Sequence, residues 1–155
     1  MRPIPRKLIV AIALASVVGA CATGPPLPER ASSPQFRVGQ VWRYETRPGE
    51  ESSRVIIGRI ERIEGLGKIV HVKLTGLHLA SSAAPGTVAT IMFHAPVAED
   101  WLAASVVELT AERGDLEGFA EGYGKWLAAY RKGEAGVFSI PLSEVVATME
   151  QALDP

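Results

Sequence analysis

From Phe36 to His94 the apolar positions recur at every second residue, and from Glu99 onward at every third or fourth. The first spacing belongs to strands with one buried face, the second to helices with one buried stripe. Phe36–Thr46 is the first predicted strand, where Trp42 and Tyr44 alternate with Arg43 and Glu45. Arg47-Pro48-Gly49-Glu50 ends it as a turn, since Pro presets a negative φ and Gly accepts the positive one that follows. Ser53–Ile63 is a second strand rich in β-branched residues, and Gly58 in its middle marks a bulge or a close neighbour. Ile69–Leu79 is the clearest strand, with Val70, Val72 and Leu74 on one face and His71, Lys73 and Thr75 on the other. Its phase slips at Gly76, and a bulge at Thr75-Gly76 would repair it. Thr87–His94 is a fourth strand, with Ile91 and Phe93 expected to point inward.

The change of period then predicts a helix over Glu99–Glu112, with Trp101, Leu102, Ser105, Val106 and Leu109 along one stripe and two acids in the first turn. Asp115 is placed to cap a second helix, Leu116–Arg131, which aligns Phe119, Tyr123, Trp126, Leu127 and Tyr130. Gly136–Ile140 reads as a short fifth strand, and Pro141 opens a last helix that runs to about Leu153. Strands first and helices after them give an α+β domain: an antiparallel four- to five-stranded meander sheet packed on one face by about three helices.

Ahead of this domain the pattern is different. Leu8–Cys21 (LIVAIALASVVGAC) is an apolar run behind Arg2, Arg6 and Lys7, the layout of a secretory signal, and it stops short of the ~20 residues a spanning helix needs. Its end, Val18-Gly19-Ala20-Cys21, resembles the lipobox of bacterial lipoproteins. That resemblance implies a diacylglyceryl group on the Cys21 thiol, cleavage just before it and acylation of the freed amine. Ala22, where an Asp would signal inner-membrane retention, points to the outer membrane, facing the periplasm. Residues 1–20 are then signal peptide, 21–34 a lipidated Cys with a flexible linker rich in Pro, Ser and Ala, and 35–155 a single domain.

Charge and cysteine count narrow the partners. Losing Arg2, Arg6 and Lys7 with the signal moves the formal net charge from −1 to −4, which gives no electrostatic reason to bind nucleic acid. Cys21 is the only cysteine, and lipidation would consume it, so no disulfide is expected. The expected partners are the membrane, through the lipid, and a protein of the cell envelope.

The histidines are the place to look for chemistry. If the third and fourth strands pair around Ala83, Lys73 faces His94 and His71 lies one step diagonal, so His71, Lys73 and His94 share a face. Glu45 or Glu61 from neighbouring strands could add a carboxylate. Two histidines without a third ligand do not make a usual zinc site, and no Gly-x-Ser-x-Gly elbow or surviving thiol offers a nucleophile, so neither a metal nor a cofactor is expected. The competing expectation is a polar sheet face whose imidazoles bond to neighbours or water. The aromatic row on the second helix suits either a stacking platform or burial against the sheet, and Gly118 and Gly122 favour close packing there.

The mature domain resembles small bacterial proteins of uncharacterised function that share Gly39-x-x-Trp42-x-Tyr44, the Arg47-Pro48-Gly49-Glu50 turn, Ile69-Val70-His71 and Gly122-Tyr123-x-x-Trp126. The resemblance implies no activity. The sequence reading is therefore a membrane-tethered binding or accessory module. A tethered hydrolase or metal-dependent enzyme working from the His71, Lys73 and His94 face is the alternative, and a small-ligand carrier with a pocket between sheet and helices is a third.

Overall fold

The computed structural model describes residues 24–81 and 84–153. Residues 1–20 and Cys21, on which the export and lipid-anchor reading rests, lie outside the described residues. The elements run β1 (Glu29–Arg30), β2 (Val41–Tyr44), β3 (Arg54–Ile63), β4 (Gly67–Ala80), β5 (Val88–Ala98), α1 (Glu99–Ser105), β6 (Val106–Ala111), α2 (Phe119–Arg131) and α3 (Leu142–Gln151). The sheet has the order β5-β4-β3-β2-β6, every pairing antiparallel, with β1 beside β3. This is the expected α+β domain: a meander from β2 to β5, with three helices packed on the sheet.

β4 is the spine. Residues 69 to 74 are all buried, so both of its faces are covered. Val70, Val72 and Leu74 join Val55 and Ile57 of β3 in the main core, closed by Leu102 of α1 and by Leu142, Val145 and Val146 of α3. On the opposite face Ile63 and Ile69 meet Trp126 and Tyr130 of α2 in a second cluster. The helices thus divide between the two faces, where the sequence pattern predicts packing on one face only. The expected slip near Gly76 is present, since the β4–β5 register shifts between Thr75 and Leu79, and Leu77 and Leu79 return to the main core.

Several local expectations are corrected. The first strand is shorter than Phe36–Thr46: Phe36 is buried, but it arrives from a turn in which Ser33 Oγ accepts its backbone N–H at 3.0 Å. The helix over Glu99–Glu112 stops at Ser105, whose Oγ donates to Trp101 O and accepts from Leu142 N. Beyond it the β-branched Val106, Val107 and Thr110 favour an extended chain, and β6 takes up the outer edge of β2. α2 begins at Phe119, not Leu116. Asp115 Oδ1 instead accepts Glu117 N at 2.9 Å, in a turn that precedes the helix. Gly136–Ile140 forms only an isolated bridge, Phe138 with Val97. In β5 Met92, paired with Leu74, faces the core together with Ala95 and Val97, while Ile91 and Phe93 are exposed.

Two polar regions are also more ordered than the sequence suggests. The Arg47–Glu50 turn is a clamp: Arg47 grips Glu50 through two bonds at 2.9 and 2.7 Å and reaches Glu150 of α3, while Glu50 accepts His78 N at 2.7 Å. Within the expected flexible linker, Glu29 pairs with Arg62 and Arg30 with Glu61, Ala31 N donates to Ile60 O, and Tyr130 OH donates to Pro26 O. The C-terminal half of β3 has an edge that the short β2 cannot reach, and this segment satisfies it.

Candidate functional site

The site is made by a parity change in β3. The β3–β4 register shifts between Ile57 and Arg59, so Gly58 is the bulged residue. Without the bulge, alternation from Val55 and Ile57 would carry Arg59 and Glu61 into the main core. With it, Ile60 faces that core, and Arg59 and Glu61 join His71, opposite Arg59, on the α2 side.

There His71 is fully buried. Its Nδ1 lies 2.9 Å from His94 Nε2, and its Nε2 lies 3.1 Å from Glu61 Oε2. The second approach is close but not aligned as a hydrogen bond, so it acts mainly as an electrostatic contact. Glu61, also fully buried, receives Tyr123 OH at 3.0 Å on both oxygens and Arg59 Nε on Oε1. The Arg59 guanidinium sits 4.7 Å over the Tyr123 ring. α2 closes the cluster with rings: Trp126 and Tyr123 stand 4.7 and 5.1 Å from the His71 centroid, and Phe119 5.7 Å from that of His94. Gly122 permits this approach, since a Cβ there would lie 2.8 Å from His94 Cβ.

Charge follows burial. Burial pushes the Glu61 carboxyl up, but His71, Arg59 and Tyr123 outweigh it and hold the group down at about 2. Burial lowers His71 against the pull of Glu61. It lowers His94 to about 3, helped by His71 and opposed by Glu61. At neutral pH the arrangement is one carboxylate with two neutral imidazoles. The His71 proton belongs on Nε2, facing the carboxylate, which leaves Nδ1 to accept from His94 Nε2–H.

Of the residues singled out in sequence, His71 and His94 are brought together and Glu61 joins them. Glu45 is exposed and does not take part. Lys73 shares the face, but its buried ammonium turns to Asp115 Oδ2 at 3.1 Å and Glu117 O at 2.8 Å, where it ties β4 to the loop before α2. Of the expected polar sheet face whose imidazoles bond to neighbours or water, the bond between neighbours is present, but α2 lies over the face. Among the described residues no group of three His, Cys, Asp or Glu is placed to hold a metal ion. Arg59 is not among the sequence candidates, and Tyr123 enters there as one of the aromatic row and not as a partner of Glu61. The signal that could have found Arg59 was Gly58, by re-phasing the strand beyond the bulge.

No protein-family model, no curated protein and no solved structure matches the chain.

Proposed function

We propose that the chain is a lipid-anchored envelope protein whose domain acts as a binding or accessory module, on the periplasmic side of the outer membrane. The anchor rests on the signal and lipobox pattern ending at Cys21. The observation that carries the binding role is the outer edge of β5. Among the described residues no strand pairs with that edge over residues 88–94, and Val88, Ile91 and Phe93 are exposed along it. Such an edge offers backbone donors and acceptors to an extended segment of a partner, with apolar side chains for specificity. Photo-crosslinking from position 90 in cells, with and without Ile91→Lys, tests this. A crosslinked protein lost on the substitution, with anchoring intact, supports the edge, and capture unchanged by Ile91→Lys refutes it.

One observation favours the tethered enzyme as a second reading: the chain Glu61–His71–His94 has the carboxylate–imidazole order of a proton relay. Its covering by Phe119, Tyr123 and Trp126 and the full engagement of the carboxylate speak for a structural network instead. Complementation of a deletion strain by the His71→Gln, His94→Gln double variant at normal protein level separates the two. Rescue sinks the relay, and failure sinks the module.

A further inference from the structure

The N-terminal segment fixes where the chain leaves the domain. Pairing of Glu29 with Arg62 and Arg30 with Glu61 runs β1 antiparallel to β3, so the chain before Glu29 continues toward the β3–β4 turn. Pro26 is held there by Tyr130 OH at 3.1 Å, and Gly24 lies beside the end of α2, an added Cβ being 3.9 Å from Arg131 O. Cys21 is three residues before Gly24. Whatever path those residues take, covalent geometry keeps them within roughly 11 Å, at up to ~3.6 Å per residue. A fully flexible linker would have allowed about 40 Å.

The same end of the domain carries exposed apolar side chains. Leu27 is 59% exposed and Leu66, in the β3–β4 turn, 50%. Trp101 is 39% exposed and follows closely on Glu99, which pairs with Lys68 beside that turn. Beside Leu66 runs a cleft of about 450 Å³ lined also by Pro25, Pro26, Glu64, Tyr130 and Val137. Charge at this end is close to balanced and slightly acidic, Arg62, Lys68, Arg131 and Lys132 against Glu29, Glu64, Glu99, Asp100 and Glu134. Attraction to anionic headgroups therefore has no net drive, and burial of apolar side chains in the interface does.

We propose that this end, marked by Leu27, Leu66 and Trp101, is the surface that seats on the lipid bilayer. The sheet then stands away from it, with the Arg47–Glu50 turn at the far end. The inference rests on the lipid-anchor reading of Cys21. It makes the membrane contact a property of the folded domain as well as of the acyl chains.

The test is nitroxide accessibility on the full lipidated protein in vesicles of phosphatidylethanolamine and phosphatidylglycerol. Cys21 being consumed by lipid, Leu66→Cys and, at the far end, Ser52→Cys each supply one labelling site. The expected result is a label at position 66 relaxed by oxygen and shielded from a water-soluble nickel complex, unchanged by salt, and a label at position 52 open to nickel. Mass analysis of the same samples reads the acyl groups on Cys21. Acylated protein with position 66 as open to nickel as position 52 overturns the seating alone. Position 66 shielded from both reagents means that a second copy or the protein's own acyl chain covers the cleft, and also overturns it. Protein without acyl groups overturns the anchor and the seating together.

Discussion

Gly58 and Phe119 occupy one another's space. A Cβ on Gly58 would lie 2.7 Å from Phe119 Cδ2 and nearer still to two other ring atoms. The bulge in β3 and the first turn of α2 therefore meet at a position where only hydrogen fits. Because that bulge also sets the parity of Arg59 and Glu61, the contact joins the sheet register to the polar cluster.

Gly58→Ala should destabilise the domain by roughly 1–3 kcal/mol, the cost of overpacking a filled interface. Phe119→Leu in the same chain should recover part of the loss, since the two residues share one volume. Thermal unfolding of the two single variants and the double variant checks this. Additive losses would mean that the ring is not what the new methyl group meets.

Replacing His71 or His94 with Gln should cost about 1–3 kcal/mol each, the range for leaving a buried polar group unsatisfied. Residues on an open sheet face would change stability by less than ~0.5 kcal/mol. The cover of α2 makes the larger figure the expected one. Urea unfolding at neutral pH decides between them.

Stability should fall with acid in two windows. His94 titrates near 3 in the fold against 6.5 when free, and His71 is shifted the same way, so below pH ~6.5 the unfolded chain binds protons that the fold does not. Glu61 adds a second loss between its ordinary value of 4.5 and about 2. Its stabilisation is present above the higher value and lost as pH falls through the lower. The melting temperature should drop between pH 7 and 5, and the drop should flatten in the His71→Gln, His94→Gln double variant. An unchanged slope in that variant would assign the acid sensitivity elsewhere.

A chain beginning at residue 35 should fold but melt lower than one beginning at residue 24. It loses the β1–β3 pairing and the Tyr130–Pro26 bond, each hydrogen bond contributing about 1 kcal/mol. Equal melting temperatures would show that the segment adds no stability.

What the sequence made legible was periodicity. The meander, α3 and the shared face of His71 and His94 all follow from it, and the β4–β5 register over residues 69–72 matches pairing around Ala83. Tertiary competition was not legible. Val106–Ala111 has a helical stripe, but its β-branched residues and the open edge of β2 make it a strand. Glu29 and Arg30 have a linker's composition and pair because β3 outruns β2. Gly58 was visible as a bulge, but only the paired register shows that the bulge sends Glu61 to His71.

Both the proposed envelope role and the proposed seating of the domain depend on lipidation of Cys21. The most direct measurement is metabolic labelling with an acyl analogue in a bacterial host that expresses the chain, comparing the natural chain with Cys21→Ser. The natural chain should carry the label and run as a processed form, and Cys21→Ser should remain an unlabelled precursor, because serine lacks the thiol that accepts the diacylglyceryl group. Label on the Cys21→Ser chain, or none on the natural one, would contradict the account.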